Sequence, residues 1–221
     1  MTSPLSKMRK ERENFVARNI YRPISVPLTL FLSKIRATPN QVSFMSVLSS
    51  IAAGVFFSLG EWQYLVIGWF FLQLTYLLDY TDGSLARYTG KSSKFGMWVD
   101  EFSNKLHKFF YVLGAAIGVF RLTNNPFYLV LGFIASFNWF FSAYISETKT
   151  RFDSERSEKR KTSFGKFLNQ IPMSLIVINT FGFLVLINNA VLALWFVAIV
   201  NLIWIKHIYG TRKLWRREHN S

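Results

Sequence analysis

The chain predicts an all-α fold: an integral membrane bundle of six transmembrane helices, preceded by an N-terminal interfacial amphipathic helix. Three observations carry this. Half of the 221 residues are hydrophobic, with 23 Phe, yet the formal charge is +14. Six long apolar runs follow one another along the chain, and Lys and Arg gather in alternate connections between them. A soluble core does not need so much Phe, and a nucleic-acid binder would carry the charge without the apolar runs, so no nucleic-acid partner is expected. Composition and charge fit together when apolar segments cross a bilayer and basic residues face its anionic cytoplasmic side. The absence of cysteine excludes disulfides, thiolate chemistry and Cys-based metal sites.

The expected spans are Val42–Leu59, Trp62–Leu78, Phe95–Phe120, Pro126–Ile145, Ile171–Ile187 and Ala190–Ile205. They lack the alternation of a barrel, so helices are the structure lipid permits. Six spans put both termini and the connections 79–95 and 146–170 on one side, with nearly all the Lys and Arg. The other side has Arg121 alone. This bias makes both termini cytoplasmic, in the plasma (inner) membrane.

The first 36 residues are strewn with basic side chains and contain no short apolar run ending in a cleavage site. Phe15–Ile35 reads as an amphipathic stretch lying in the headgroup plane, with Arg18, Arg22 and Lys34. Pro23 and Pro27 argue against one unbroken helix there. Asn40, in Thr38-Pro39-Asn40, is the expected N-cap of the first span. The chain thus divides into an arm (1–40), a helical domain (41–207) and a basic tail (208–221).

Chemistry concentrates where the second span ends and the third begins. Asp79 and Asp82 are three residues apart and share a helix face; Gly96, Asp100 and Asn104 are spaced by four and line one stripe, with His107 about a turn further on. Carboxylates at a membrane boundary are costly unless paired, hydrated or bound to metal. Asp79, Asp82 and Asp100 offer oxygen ligands that suit Mg²⁺, Mn²⁺ or Ca²⁺ rather than zinc or copper. Gly83 and Gly96 leave room for a phosphorylated ligand, and Arg87 lies one turn after Gly83, able to neutralise a phosphate or pair with a carboxylate. Any one of these acids alone would read as a helix-end charge facing headgroups. Lys105 and Lys108 admit either snorkelling to the interface or phosphate binding.

These residues resemble the CDP-alcohol phosphatidyltransferase family. Its signature is Asp, two residues, Asp-Gly, two residues, Ala-Arg, eight residues, Gly, three residues, Asp, three residues, Asp. Asp79, Asp82, Gly83, Ala86, Arg87, Gly96 and Asp100 fall in register. The resemblance implies six helices around a polar cavity open to the cytoplasm, commonly in a homodimer. It implies that Asp79, Asp82 and Asp100 hold Mg²⁺ or Mn²⁺, and that Gly83, Ala86, Arg87 and Gly96 shape the site for a CDP-linked donor. The implied reaction is attack by an alcohol, or a phosphorylated alcohol, on the donor's phosphoryl group, releasing CMP among the membrane lipids.

The last signature position is Asn104. The resemblance gives that position an aspartate that ligates metal and acts as base, and a neutral amide cannot take a proton. An enzyme lineage with an altered base, natural or introduced, and a membrane protein that binds metal and CDP ligands without turnover both stay open. Glu101 points about a quarter-turn from Asp100, and His107 faces the cluster from deeper in the helix. A cation transporter would need acids along several spans, and the last three have none. The basic stretch 149–166 reads as a solvated linker.

Overall fold

The computed structural model describes residues 19, 21–153, 173–200 and 202. The expectations for the remainder of the arm, the 149–166 linker beyond Asp153, the first residues of the fifth span, the end of the sixth and the basic tail lie outside those residues. Seven helices and no strand occur among the described residues: α1 (Arg22–Lys34), α2 (Pro39–Leu59), α3 (Trp62–Thr89), α4 (Lys94–Thr123), α5 (Phe127–Asp153), α6 (Met173–Leu186) and α7 (Ala190–Val200). Of these, α2 and α4 are both long and apolar enough to cross a membrane. α3 has the length, but its C-terminal half carries Asp79, Asp82 and Arg87.

α1 departs from the expectation of a break at Pro27, whereas Pro23 stands at its start and most of the stretch before Tyr21 lies outside the described residues. α1 is one helix with Pro27 inside it. Pro23 falls in the first turn, where amides have no intrahelical partner, so Pro27 alone removes a backbone bond. Packing offsets that loss: Leu32 is buried in a cluster with Val42, Leu78 and Leu85. The opposite face leaves Ile24, Phe31 and Ile35 exposed.

The start of α2 also differs from expectation. Thr38, not Asn40, is the N-cap: its backbone is extended, its hydroxyl accepts from the Gln41 amide, and the Gln41 side chain accepts from the Thr38 amide. Pro39 then supplies the pre-set φ of a first helical residue.

α3 runs on to Thr89, so the acidic motif is helical and the expected 79–95 connection shrinks to Gly90–Ser93. Gly90 closes α3 at φ +67°, in the left-handed region glycine favours. Ser93 caps α4 by accepting from the Gly96 amide at 2.9 Å. At 1.5 Å per residue, α3 and α4 are roughly 42 and 45 Å long, beyond a hydrocarbon thickness of about 30 Å.

Neighbouring helices form a closed circuit: α2 lies against α3 and α4, α4 against α5, α5 against α7, α7 against α6, and α6 against α3. Leu72, Tyr111, Phe181 and Leu194 fill the middle. α1 packs on α3 outside the ring. The α2–α4 contact is backbone on backbone. A Cβ on Gly54 would come 2.6 Å from the Phe110 carbonyl oxygen, and one on Gly114 would fall on the Gly54 backbone. One turn on, a Cβ at Gly118 would collide with the Phe57 carbonyl. Small residues at such a crossing let helices approach without side chains between them.

Gly114→Leu is therefore expected to cost at least about 1–3 kcal/mol, because backbone cannot yield as a side chain does. The measurement is the thermal midpoint of purified protein in detergent; a midpoint within a degree of wild type would contradict this crossing.

Candidate active site

The short turn at Gly90–Ser93 reverses the chain, so the end of α3 and the start of α4 run antiparallel at one end of the bundle. α2 lies against both. From α3 come Asp79 and Asp82, from α4 Asp100, and one carboxylate oxygen from each lies within 4.8 Å of the others. Oxygens sharing a divalent cation at about 2.0–2.6 Å sit roughly 4–5 Å apart at most, so this donor set fits a hard cation. Asp82 is buried, Asp79 half-buried, and Asp100 is the most open of the three. Three carboxylates this close repel one another, and burial withholds the water that would relieve them.

Asp82 is held by a partner that sequence reasoning missed. The Ser43 hydroxyl on α2 donates to Asp82 Oδ2 at 2.5 Å. The signal lay in Ser43, Ser46 and Ser50, a buried polar stripe at three- and four-residue spacing along a largely apolar span. Ser46 donates to the Ser43 carbonyl oxygen at 2.7 Å and lies 3.1 Å from His107 Nε2. His107 is thus turned onto α2 and buried there. It does not face the carboxylate cluster as expected, because three residues after Asn104 leave it about 60° round the helix.

Asn104 turns its amide onto Asp100: Nδ2 donates to Asp100 Oδ1 and to its carbonyl oxygen, both at 3.1 Å. Glu101 points away and pairs with Lys105 at 2.7 Å. The residue that continues the Asp100–Asn104 stripe is Lys108, whose ammonium lies 6.0 Å from the Trp139 ring centre on α5.

Arg87 folds back over Gly83, where a Cβ would meet its guanidinium at 3.4 Å. The charges of Asp82 and Asp100 reach Arg87 there. The room left by Gly83 is thus room for Arg87 first. Beside Gly96, a Cβ would lie 3.1 Å from Ser93 Oγ and 3.7 Å from Asn40 Oδ1, so Asn40 borders the site it was expected to precede as a cap. Ala86, half-buried, lies on α3 between these groups and the turn. Outside the motif, Tyr21 stacks on Tyr80 at 4.7 Å, fastening the start of α1 to the acidic turn.

Comparison with known proteins places this arrangement. Curated relatives include a bifunctional IPC transferase and DIPP synthase from Archaeoglobus fulgidus, 28% identical over 72% of this chain and 30% of the relative. A protein of the same description from Aquifex aeolicus is 29% identical over 48% of this chain and 23% of its own length. An archaetidylinositol phosphate synthase from Pyrococcus horikoshii is 34% identical over 39% of this chain and 45% of the relative. The chain spans less than half the length of these relatives. Among solved structures, Mycobacterium tuberculosis phosphatidylinositol phosphate synthase with CDP-DAG bound superposes with a TM-score of 0.64 at 19% identity, over 85% of this chain and 92% of that one. The same enzyme with manganese and citrate gives 0.63 at 18% identity, over 84% and 87%. These two likenesses are of fold. The family model for CDP-alcohol phosphatidyltransferases matches residues 36–155, more than half the sequence and all of the carboxylate cluster. The chain belongs to the CDP-alcohol phosphatidyltransferase family.

Proposed function

We propose that the chain transfers a substituted phosphoryl group from a CDP-linked donor to an alcohol hydroxyl, releasing CMP, in the synthesis of a phospholipid or related phosphodiester. The observation that carries this is the convergence of the Asp79, Asp82 and Asp100 oxygens within 4.8 Å. Those three carboxylates would hold Mg²⁺ or Mn²⁺. Such a cation, when bound, offsets phosphate charge and orients the donor. Gly83, Ala86, Arg87 and Gly96 would receive the cytidine diphosphate, with Arg87 set against the charge that builds on the departing CMP. In the transfer, the acceptor oxygen bonds to the donor's distal phosphorus, the bond to the CMP oxygen breaks, and the hydroxyl proton must leave.

Asn104 has no lone pair suited to that proton, and its Nδ2 is committed to Asp100. Position 104 therefore holds Asp100 in place and limits the rate. The relatives named for inositol phosphate lipids favour an alcohol or phosphorylated-alcohol acceptor.

The setting we propose is a membrane, with six helices, α2 to α7, crossing it and the site end cytoplasmic. The Lys and Arg bias supports this, as do the outward Phe44, Leu48 and Val55 of α2. In the same reading α1 lies in the interface, with Ile24, Phe31 and Ile35 toward lipid. The arm 1–40, domain 41–207 and tail 208–221 then follow as its parts. A homodimer would cover some of the outward aromatic surface of α4, where Phe95, Trp98 and Phe102 stack. A protein that only binds a CDP ligand is the second reading, favoured by Asn104 alone.

Asp100→Ala is expected to abolish metal-dependent CDP binding, read by calorimetry on the purified protein with Mn²⁺ or Mg²⁺; CDP binding without metal would sink the site assignment. Ser43→Ala should weaken Mn²⁺ about 10- to 100-fold, followed by electron paramagnetic resonance, while Ser43→Thr keeps most of the affinity. Asn104→Asp should raise CMP release by about 10²–10⁴. Equal rates for the two forms would show that the proton leaves by another route.

A further inference from the structure

We infer that Lys108 binds the anionic group of the acceptor, which makes the acceptor a phosphorylated alcohol rather than a neutral one; this rests on the transferase reading. Each other cation considered for phosphate on α3 and α4 has a partner. Arg87 lies in the field of Asp82 and Asp100, and Lys105 pairs with Glu101. Lys108 lies in the field of Asp79, yet among the described residues its ammonium makes no hydrogen bond and no ion pair, and the group nearest it is the Trp139 ring face, 6.0 Å to the ring centre. Three strong donors are therefore left without acceptors.

Snorkelling does not account for this placement. Lys108 lies 14 residues into α4, roughly 21 Å from its start, and its head turns inward to α5 instead of outward to an interface. An ammonium kept inside a helical bundle is costly without acceptors and marks a ligand path by default. A ring face attracts the cation yet supplies no lone pair, so Trp139 steadies the head without occupying its N–H groups.

Position decides what the ligand is. Lys108 is one turn, about 6 Å, beyond Asn104 on the same stripe, and helical side chains lean toward their N-terminus. The ammonium is thereby carried back toward the level of Asn104. Asp79 acts on it through space from α3, with no direct pairing. An acceptor whose hydroxyl reaches the Asp100–Asn104 level would set a second group, a few bonds away, against Lys108. A phosphate supplies acceptor oxygens and charge there; a bare hydroxyl leaves the ammonium unmatched. His107 faces α2 and does not compete.

The experiment uses the full chain in detergent with Mn²⁺, titrated calorimetrically with CDP, and with glycerol, glycerol 3-phosphate, inositol and inositol 1-phosphate. Wild type should bind a phosphorylated polyol at least ten-fold tighter than its parent. Lys108→Met should lose that preference ten-fold or more while CDP affinity stays within two-fold, and Lys108→Arg should keep most of it. Equal binding of polyols and their phosphates by wild type would overturn the inference without any variant. So would retention of the preference in Lys108→Met, or an equal loss of CDP, which would place Lys108 at the donor. If wild type binds no CDP but Lys108→Met still loses phosphate binding, the transferase reading falls and the anion site stands.

Discussion

The α2–α4 crossing at Gly54 and Gly114 holds the rest of the structure in register. With no side chains between them, the two backbones meet at one depth and one rotation, and Gly118 against the Phe57 carbonyl repeats the constraint a turn away. α3 packs on the neighbouring side of α2. Direct contact between α3 and α4 is slight, so α2 is the ruler against which the two acidic helices are measured. A rotation of α4 by one residue, about 100°, would carry Asp100 away from Asp79 and Asp82.

The same helix that sets the register also supplies polar partners. Ser43 donates to Asp82, and Ser46 approaches His107, from a stripe that continues into Gly54. Small residues thus do two jobs on one face: near the site their hydroxyls satisfy buried charge, and deeper down their lack of bulk admits the neighbouring backbone. A buried carboxylate left without such a donor would bear its full desolvation cost. That cost is why a site for hard cations needs a polar wall inside an apolar bundle.

Charge along the α4 stripe changes from carboxylate at Asp100 to amide at Asn104 to ammonium at Lys108. The neutral middle member softens the repulsion among three acids by donating to one of them. As a neutral amide it cannot itself take a proton. Eight residues, a little over two turns and about 12 Å of rise, separate the carboxylate end of this stripe from its cationic end.

The sequence alone determined what depends on spacing within one helix: Asp79 and Asp82 on one face, Asp100 and Asn104 on one stripe, Arg87 a turn past Gly83, and the apolar runs themselves. Periodicity is local, so it can be read from a few adjacent residues. Other features were decided only by tertiary structure. Pro27 was accepted within α1 because Leu32 and its neighbours pack on α3, a contact between residues far apart in the chain. Thr38 displaced Asn40 as the cap, since cap geometry depends on how the chain arrives. His107 and Lys108 are adjacent in sequence, yet one turns to Ser46 and the other to Trp139. Which way a helix presents its faces is set by its neighbours, and that rotation comes from the glycine crossing between α2 and α4, some sixty residues apart in the chain.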